Sequence, residues 1–165
     1  MNTGLLDPER DPMGAAIMDY HTKGTAGRLR VFSPDFEEDE IPVETLFRTY
    51  DDMPLTERTA LDMAEGLILD CGAGSGCHSI ALEEMGKQVE AIDISPLAVK
   101  VMQEDGVNAR LVNLFAPSFT GRYDTILMLM NGSGIIGSIS NMEAFFTRMK
   151  ELLNPGGCIL MDSSD

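Results

Sequence analysis

The sequence predicts an α/β fold built on a doubly wound, mostly parallel sheet of about five strands. Three observations predict it: short apolar runs recur along the chain, helical patterns separate them, and two successive runs end in carboxylates, Asp70 and Asp93. Residues 1–54 are charged and proline-punctuated, with amphipathic stretches at 15–20 and 43–50. An acid cluster there, Asp35, Glu37, Glu38, Asp39 and Glu40, reads as solvated surface. This segment is expected to be a helical or irregular lid, and residues 55–165 the ligand-binding core. At Pro54 a helix can open, with Leu55, Ala60 and Met63 on one apolar face and Gly66 behind it. Apolar runs at 67–69, 89–92, 109–114, 123–130 and 158–161 are too short for helices and read as buried strands. Helices are expected at 77–85 with Gly86 behind, at 96–104 after the cap Ser95, and at 141–153 from the cap Asn141 to Pro155. In such a sheet ligands bind outside the carboxyl ends of the strands.

At 165 residues and 44% hydrophobic composition the chain suits one globular domain. Twelve basic against 27 acidic residues give a formal charge of −15, which repels a phosphate backbone and argues against a nucleic-acid partner. Three cysteines, Cys71, Cys77 and Cys158, form no disulfide framework and suit a reducing compartment. The first ten residues lack the basic and apolar regions of a secretion signal, and no apolar run reaches membrane-spanning length. A cytoplasmic location without membrane association is the expectation.

The chemistry concentrates at Leu69-Asp70-Cys71-Gly72-Ala73-Gly74-Ser75-Gly76-Cys77, a strand that ends in an acid and turns through three glycines into a helix. Glycines let a ligand approach the backbone closely, although a Gly-x-Gly by itself is also simply a tight turn. A second element settles the choice. The strand Val89-Glu90-Ala91-Ile92-Asp93-Ile94 places a carboxylate 17 residues after Gly76, where it can accept hydrogen bonds from both ribose hydroxyls of a nucleoside. Asp70 beside the loop repels a pyrophosphate and attracts an ammonium or sulfonium group. A dinucleotide fingerprint wants its third Gly or Ala where Cys77 stands, and no Lys follows Gly76 as a phosphate loop requires.

These residues resemble class I S-adenosylmethionine-dependent methyltransferases, with their Rossmann-like fold, over about residues 67–165. The resemblance implies that Asp70, Gly72, Ala73, Gly74 and Gly76 hold the methionine part of the donor and Asp93, with Ile94, the ribose. Asn113 stands where the family usually has an Asp contacting the adenine amino group, with Leu114 beside it. The family's fourth motif falls at Tyr123-Asp124-Thr125-Ile126-Leu127-Met128-Leu129-Met130-Asn131, and the fifth strand at Asn154-Pro155-Gly156-Gly157-Cys158-Ile159-Leu160-Met161-Asp162. A narrower likeness is to uncharacterised bacterial methyltransferases reading Met-Asn-Gly-Ser/Thr-Gly after the fourth strand and Asp-Ser-Ser-Asp after the fifth. A complete family domain has one more helix and two more strands. The sequence stops at Asp165, so a truncated domain is expected, whose fifth strand is a sheet edge open to a second copy.

Methyl transfer from a sulfonium is an in-line displacement that needs no covalent nucleophile. A base is needed only where the acceptor must lose a proton, and the weak candidates are Asn131, Tyr20, His21 and Asp162. Asn131-Gly132-Ser133-Gly134 is not the Asn-Pro-Pro-Tyr arrangement of amino-methylating nucleic-acid enzymes, which favours a small-molecule or protein acceptor. Arg48 is a candidate grip for the donor carboxylate, or else pairs with one of the many acids. His78 near Cys71 and Cys77 lacks the spacing of a metal-ligand pair, so no metal is assigned. His21 reads first as an ordinary surface or packing histidine. Met128 and Met130 are first of all core filler, with Met130 at the strand end also a donor-site candidate. Two functions remain: a small-molecule methyltransferase that converts S-adenosylmethionine to S-adenosylhomocysteine, and a non-catalytic module that binds either compound or a protein.

Overall fold

A computed structural model describes residues 3–32 and 37–163. Helix α1, Pro12–Lys23, starts with proline in its first turn and the Asp11 carboxylate accepting from the Gly14 N–H at 2.8 Å. It ends at Gly24, whose φ of +71° closes the last turn. Two short strands follow, β1 (Leu29–Val31) and β2 (Asp39–Ile41), paired antiparallel. The acid cluster therefore does more than face water: Glu40 pairs with Arg28 and Glu38 with Arg30 beside this hairpin. Asp35, expected in the same cluster, lies outside the described residues.

Helix α2, Leu55–Met63, begins after Pro54 as expected but turns a different face inward. Leu55 and Met63 are 71% and 60% exposed, whereas Glu57, Leu61 and the following Ala64 are buried. An acid sits inside because Arg48 and His78 both bond to its carboxylate, which removes the cost of burying an unpaired charge.

The sheet then follows: β3 (Leu67–Cys71), α3 (Cys77–Glu84), β4 (Gln88–Asp93), α4 (Pro96–Glu104), β5 (Ala109–Leu111), β6 (Tyr123–Met128), α5 (Met142–Leu152) and β7 (Leu153–Met161). All five strands are parallel in the order β5-β4-β3-β6-β7, so the chain reverses direction across the sheet between β3 and β6. One face packs Leu69, Cys71, Ile92, Ile126 and Met128 against Phe145, Met149 and Leu152 of α5. The opposite face packs Ile68, Val89 and Leu127 against Leu61 of α2 and Ala81 and Leu82 of α3. Outside that layer α1 lies along α4, with Ile17 buried against Ala98 and Val101.

Three boundaries differ from expectation for local reasons. Strand β5 stops at Leu111 because Asn113 Oδ1 accepts from the Phe115 N–H at 2.9 Å and turns the chain. Strand β6 stops at Met128, ahead of Met130 and Asn131 with φ of +59° and +65°. Strand β7 starts five residues early, since its Pro-Gly-Gly stretch forms an irregularity inside the pairing with β6 and does not end it. Ser95 caps α4 by accepting from Ala98 N–H, but Asn141 does not cap α5: its amide donates to the Ile136 carbonyl at 2.9 Å. Among the described residues no helix is long and apolar enough to cross a membrane.

Candidate functional site

A cavity of about 280 Å³ opens at the carboxyl ends of β3, β4 and β5. Cys71, Gly72, Ile92, Asp93 and Ile94 form one wall, Val112, Asn113, Leu114 and Phe115 the second, and Ile135, Ile136, Gly137 and Asn141 the third. The glycine loop between β3 and α3 reaches it at Gly72, while Ala73, Gly74 and Gly76 lie outside the lining; Gly72, Gly74 and Gly76 are all at positive φ. Four of the loop's N–H groups are spent inside the protein. Gly72 and Ala73 donate to the Ile92 carbonyl at 2.9 and 3.2 Å, Gly74 to Asp93 Oδ2 at 2.9 Å, and Gly76 to the Ala73 carbonyl at 2.8 Å. A phosphate-binding loop works by aiming such groups outward at the anion, and these four point inward.

Asp93 is the charged group of the cavity wall. Oδ2 takes the Gly74 N–H and Oδ1 the Ser95 N–H at 2.8 Å, which fixes the carboxylate in place. A carboxylate has about four lone-pair sites, so with the Ile94 N–H also turned toward it capacity remains for a further donor. Burial pushes Asp93 above the ordinary carboxylate range, and the N–H bonds from Ser95 and Gly74 pull it back in part.

Asp70, next to last in β3, does not line the cavity. Successive strand residues face opposite sides of the sheet, so Asp70 points under α3 while Cys71 faces the cavity. Its carboxylate is 2% exposed and accepts the Ser79 hydroxyl at 2.7 Å. Burial raises its pKa, with nearby His78 opposing the shift. Asn113 does line the cavity, and its amide nitrogen donates to the Gly4 carbonyl at 2.8 Å. Leu114 beside it is buried, and its carbonyl accepts from Arg148 Nε at 2.8 Å. Ile94 lines the wall, and its carbonyl accepts the Leu6 N–H at 2.9 Å.

The remaining candidates lie elsewhere. Arg48 is engaged internally, bonding to Glu57 and donating to the Thr45 carbonyl at 2.8 Å. Tyr20 stacks on Phe47 at 4.8 Å, and His21 bonds to Asp105 at 2.9 Å. Helix α1 runs parallel to α4 from Asp11 beside Ser95 to His21 beside Asp105. Ten residues of helix span about 15 Å, which carries His21 and its neighbour Tyr20 to the end of the sheet opposite the cavity. Neither can serve there as a base. Asp162 accepts from the Met130 and Gly132 N–H groups at 3.0 and 3.1 Å, which shapes the turn holding Asn131. Ser164 and Asp165, the last residues of the Asp-Ser-Ser-Asp motif, lie outside the described residues. Sequence reasoning did not anticipate Ile135, Ile136 and Gly137 as a wall. The only signal was the glycine-rich run after β6, which reads as a loop without saying what it covers.

The comparisons agree with this geometry. Residues 68–157 match the model of the methyltransferase domain family. The crystal structure of an S-adenosylmethionine-dependent methyltransferase from Bacteroides fragilis, in complex with S-adenosyl-L-homocysteine, is 66% identical with a TM-score of 0.96, over 100% of this chain and 69% of that one. A ubiquinone biosynthesis O-methyltransferase of Xanthomonas oryzae pv. oryzae (strain PXO99A) is 28% identical over 111 residues, 62% of this chain and 45% of the relative. A demethylmenaquinone methyltransferase of Tropheryma whipplei (strain Twist) is 28% identical over 99 residues, 57% of this chain and 40% of the relative. The chain thus spans less than half the length of these two curated relatives. With a parallel sheet, a glycine loop under a nucleoside-sized cavity and the family model over more than half its length, the chain belongs to the methyltransferase domain family and has the fold of class I S-adenosylmethionine-dependent methyltransferases.

Proposed function

We propose that this chain holds S-adenosylmethionine in the cavity beside Asp93 and serves transfer of its methyl group to a small-molecule acceptor, with S-adenosylhomocysteine as the leaving group. The observation that carries this is the pairing of a fixed carboxylate having lone-pair capacity to spare with a glycine loop four of whose N–H groups are turned inward. That combination suits a ribose diol without diphosphate. The Bacteroides fragilis relative binds S-adenosyl-L-homocysteine, and relatives in quinone biosynthesis act on small molecules, which supports both parts.

In this assignment Asp93 accepts from the ribose diol, Gly72 allows the donor to lie against the backbone, and Leu114 and Phe115 flank the base among the apolar walls. Asp70, one layer beneath, biases the loop toward positive charge in proportion to its ionisation. When bound, the donor supplies a methyl group already activated on a sulfonium, so orientation of the two partners alone can contribute about 7–11 kcal/mol. Cys71 and Asp93 are the ionisable side chains of the cavity wall; burial pushes the Cys71 thiol well up, and no general base is assigned. Of the segment before residue 55, the part ahead of α1 bonds to the cavity rim and acts as the lid, and the outer edge of β7 is where a second copy would pair. The test is to incubate the protein with S-adenosylmethionine and a panel of small phenols, thiols and amines and to measure S-adenosylhomocysteine. Acceptor-dependent product is expected; binding with no product from any acceptor would favour a donor-sensing module.

A further inference from the structure

We propose that Asn113 latches the N-terminal segment along the β4–β5 rim of the cavity, and that opening this latch admits and releases the nucleoside ligand. The idea rests on the donor-binding function proposed above. The Phe115 N–H needs an acceptor, which places the Asn113 amide oxygen toward it at 2.9 Å. The amide nitrogen then faces the Gly4 carbonyl and donates to it at 2.8 Å. Two residues on, the Leu6 N–H donates to the Ile94 carbonyl at 2.9 Å. Ile94 and Asn113 follow the neighbouring strands β4 and β5 and both line the cavity, so the two ties hold residues 4–6 along that edge of its rim.

What holds this strap is hydrogen bonding and not packing, because residues 3–10 are all exposed. A segment with so few apolar contacts opens locally at small cost. Its far end is firm: Asp11 is buried, bonds to the Ser95 hydroxyl and caps α1, which packs on α4. The strap can therefore swing about Asp11 while the core stays intact. The latch also gives a reason for an amide at position 113. An aspartate would keep the bond to Phe115 but would set a carboxylate oxygen against the Gly4 carbonyl, acceptor against acceptor.

Two variants break different ties. Asn113→Asp removes the donor to Gly4, and Leu6→Pro removes the N–H to Ile94 at a residue outside the cavity wall. Stopped-flow release of S-adenosylhomocysteine and hydrogen exchange at the Leu6 amide are the readouts. Each variant is expected to release the ligand about 2- to 10-fold faster, the loss of one modest hydrogen bond. The Leu6 amide should be protected in the parent and lose protection in Asn113→Asp with no ligand present. Unchanged release rates, a Leu6 amide unprotected in the parent, or acceleration by Asn113→Asp alone would overturn the latch. A parent protein giving no calorimetric signal with S-adenosylhomocysteine would instead overturn the donor-binding function and the latch with it.

Discussion

Asp70 and Asp93 stand at the carboxyl-end portions of neighbouring parallel strands, yet one is buried under α3 and the other faces the cavity. Their substitutions should differ accordingly. Asp93→Ala should weaken donor binding by about 1.5–3 kcal/mol, roughly 10- to 150-fold, since hydrogen bonds to a charged acceptor disappear; an unchanged dissociation constant in calorimetry would remove Asp93 from the site. Asp70→Asn keeps an acceptor for the Ser79 hydroxyl while deleting a buried charge. Because burial raises the Asp70 pKa, the folded state prefers it protonated, and its contribution to stability declines as pH rises from the usual carboxylate range near 4 through the raised value. The variant should thus gain stability over the parent as pH increases, seen as a widening gap in urea midpoints, while binding S-adenosylmethionine less well. A difference in urea midpoint that does not change between acidic and neutral pH would contradict this. Both acids were legible in the sequence as strand-terminal carboxylates. Which one meets the ligand was not, because that depends on which face of the sheet the helices cover.

At the scale of elements, apolar periodicity located α3, α4 and the central strands, where burial and pattern coincide. It misjudged α2, because Glu57 is inside through tertiary partners, Arg48 and His78, that no local pattern displays. It also missed that α1 and α4 run parallel, which takes Tyr20 and His21 away from the chemistry. Burial pushes Glu57 up, but hydrogen bonds from His78 and Arg48 outweigh it and hold it below the ordinary range. Its stabilising contribution is therefore present at neutral pH and lost as pH falls through that lowered value. Arg48→Met leaves the Glu57 carboxylate with one partner fewer and should cost about 3–5 kcal/mol in denaturant unfolding, with a smaller effect on donor affinity in the fraction that folds. A loss of affinity with unchanged stability would return Arg48 to the donor site. At the start of α3, Gly76 has φ of +85°, and an added Cβ would lie 2.8 Å from Met102 Cγ. Gly76→Ala should cost about 1–3 kcal/mol, read as a lower urea midpoint.

For the whole molecule, the alternation of strands and helices made the parallel sheet and its binding edge legible. The strap over the cavity and the wall at Ile135–Gly137 were not, since both arise from contacts distant in sequence between segments lacking any periodic signal. The formal charge of −15 also has a kinetic consequence. S-adenosylmethionine carries net positive charge at neutral pH and S-adenosylhomocysteine none, so added salt should slow association of the first and leave the second nearly unchanged. The most direct test of the central claim, that this cavity takes a nucleoside bearing a sulfonium and not a diphosphate, is calorimetric titration with S-adenosylmethionine, S-adenosylhomocysteine and NAD in parallel. Saturable one-site binding of the first two and no heat from NAD is expected; NAD binding that competes with S-adenosylhomocysteine would contradict it.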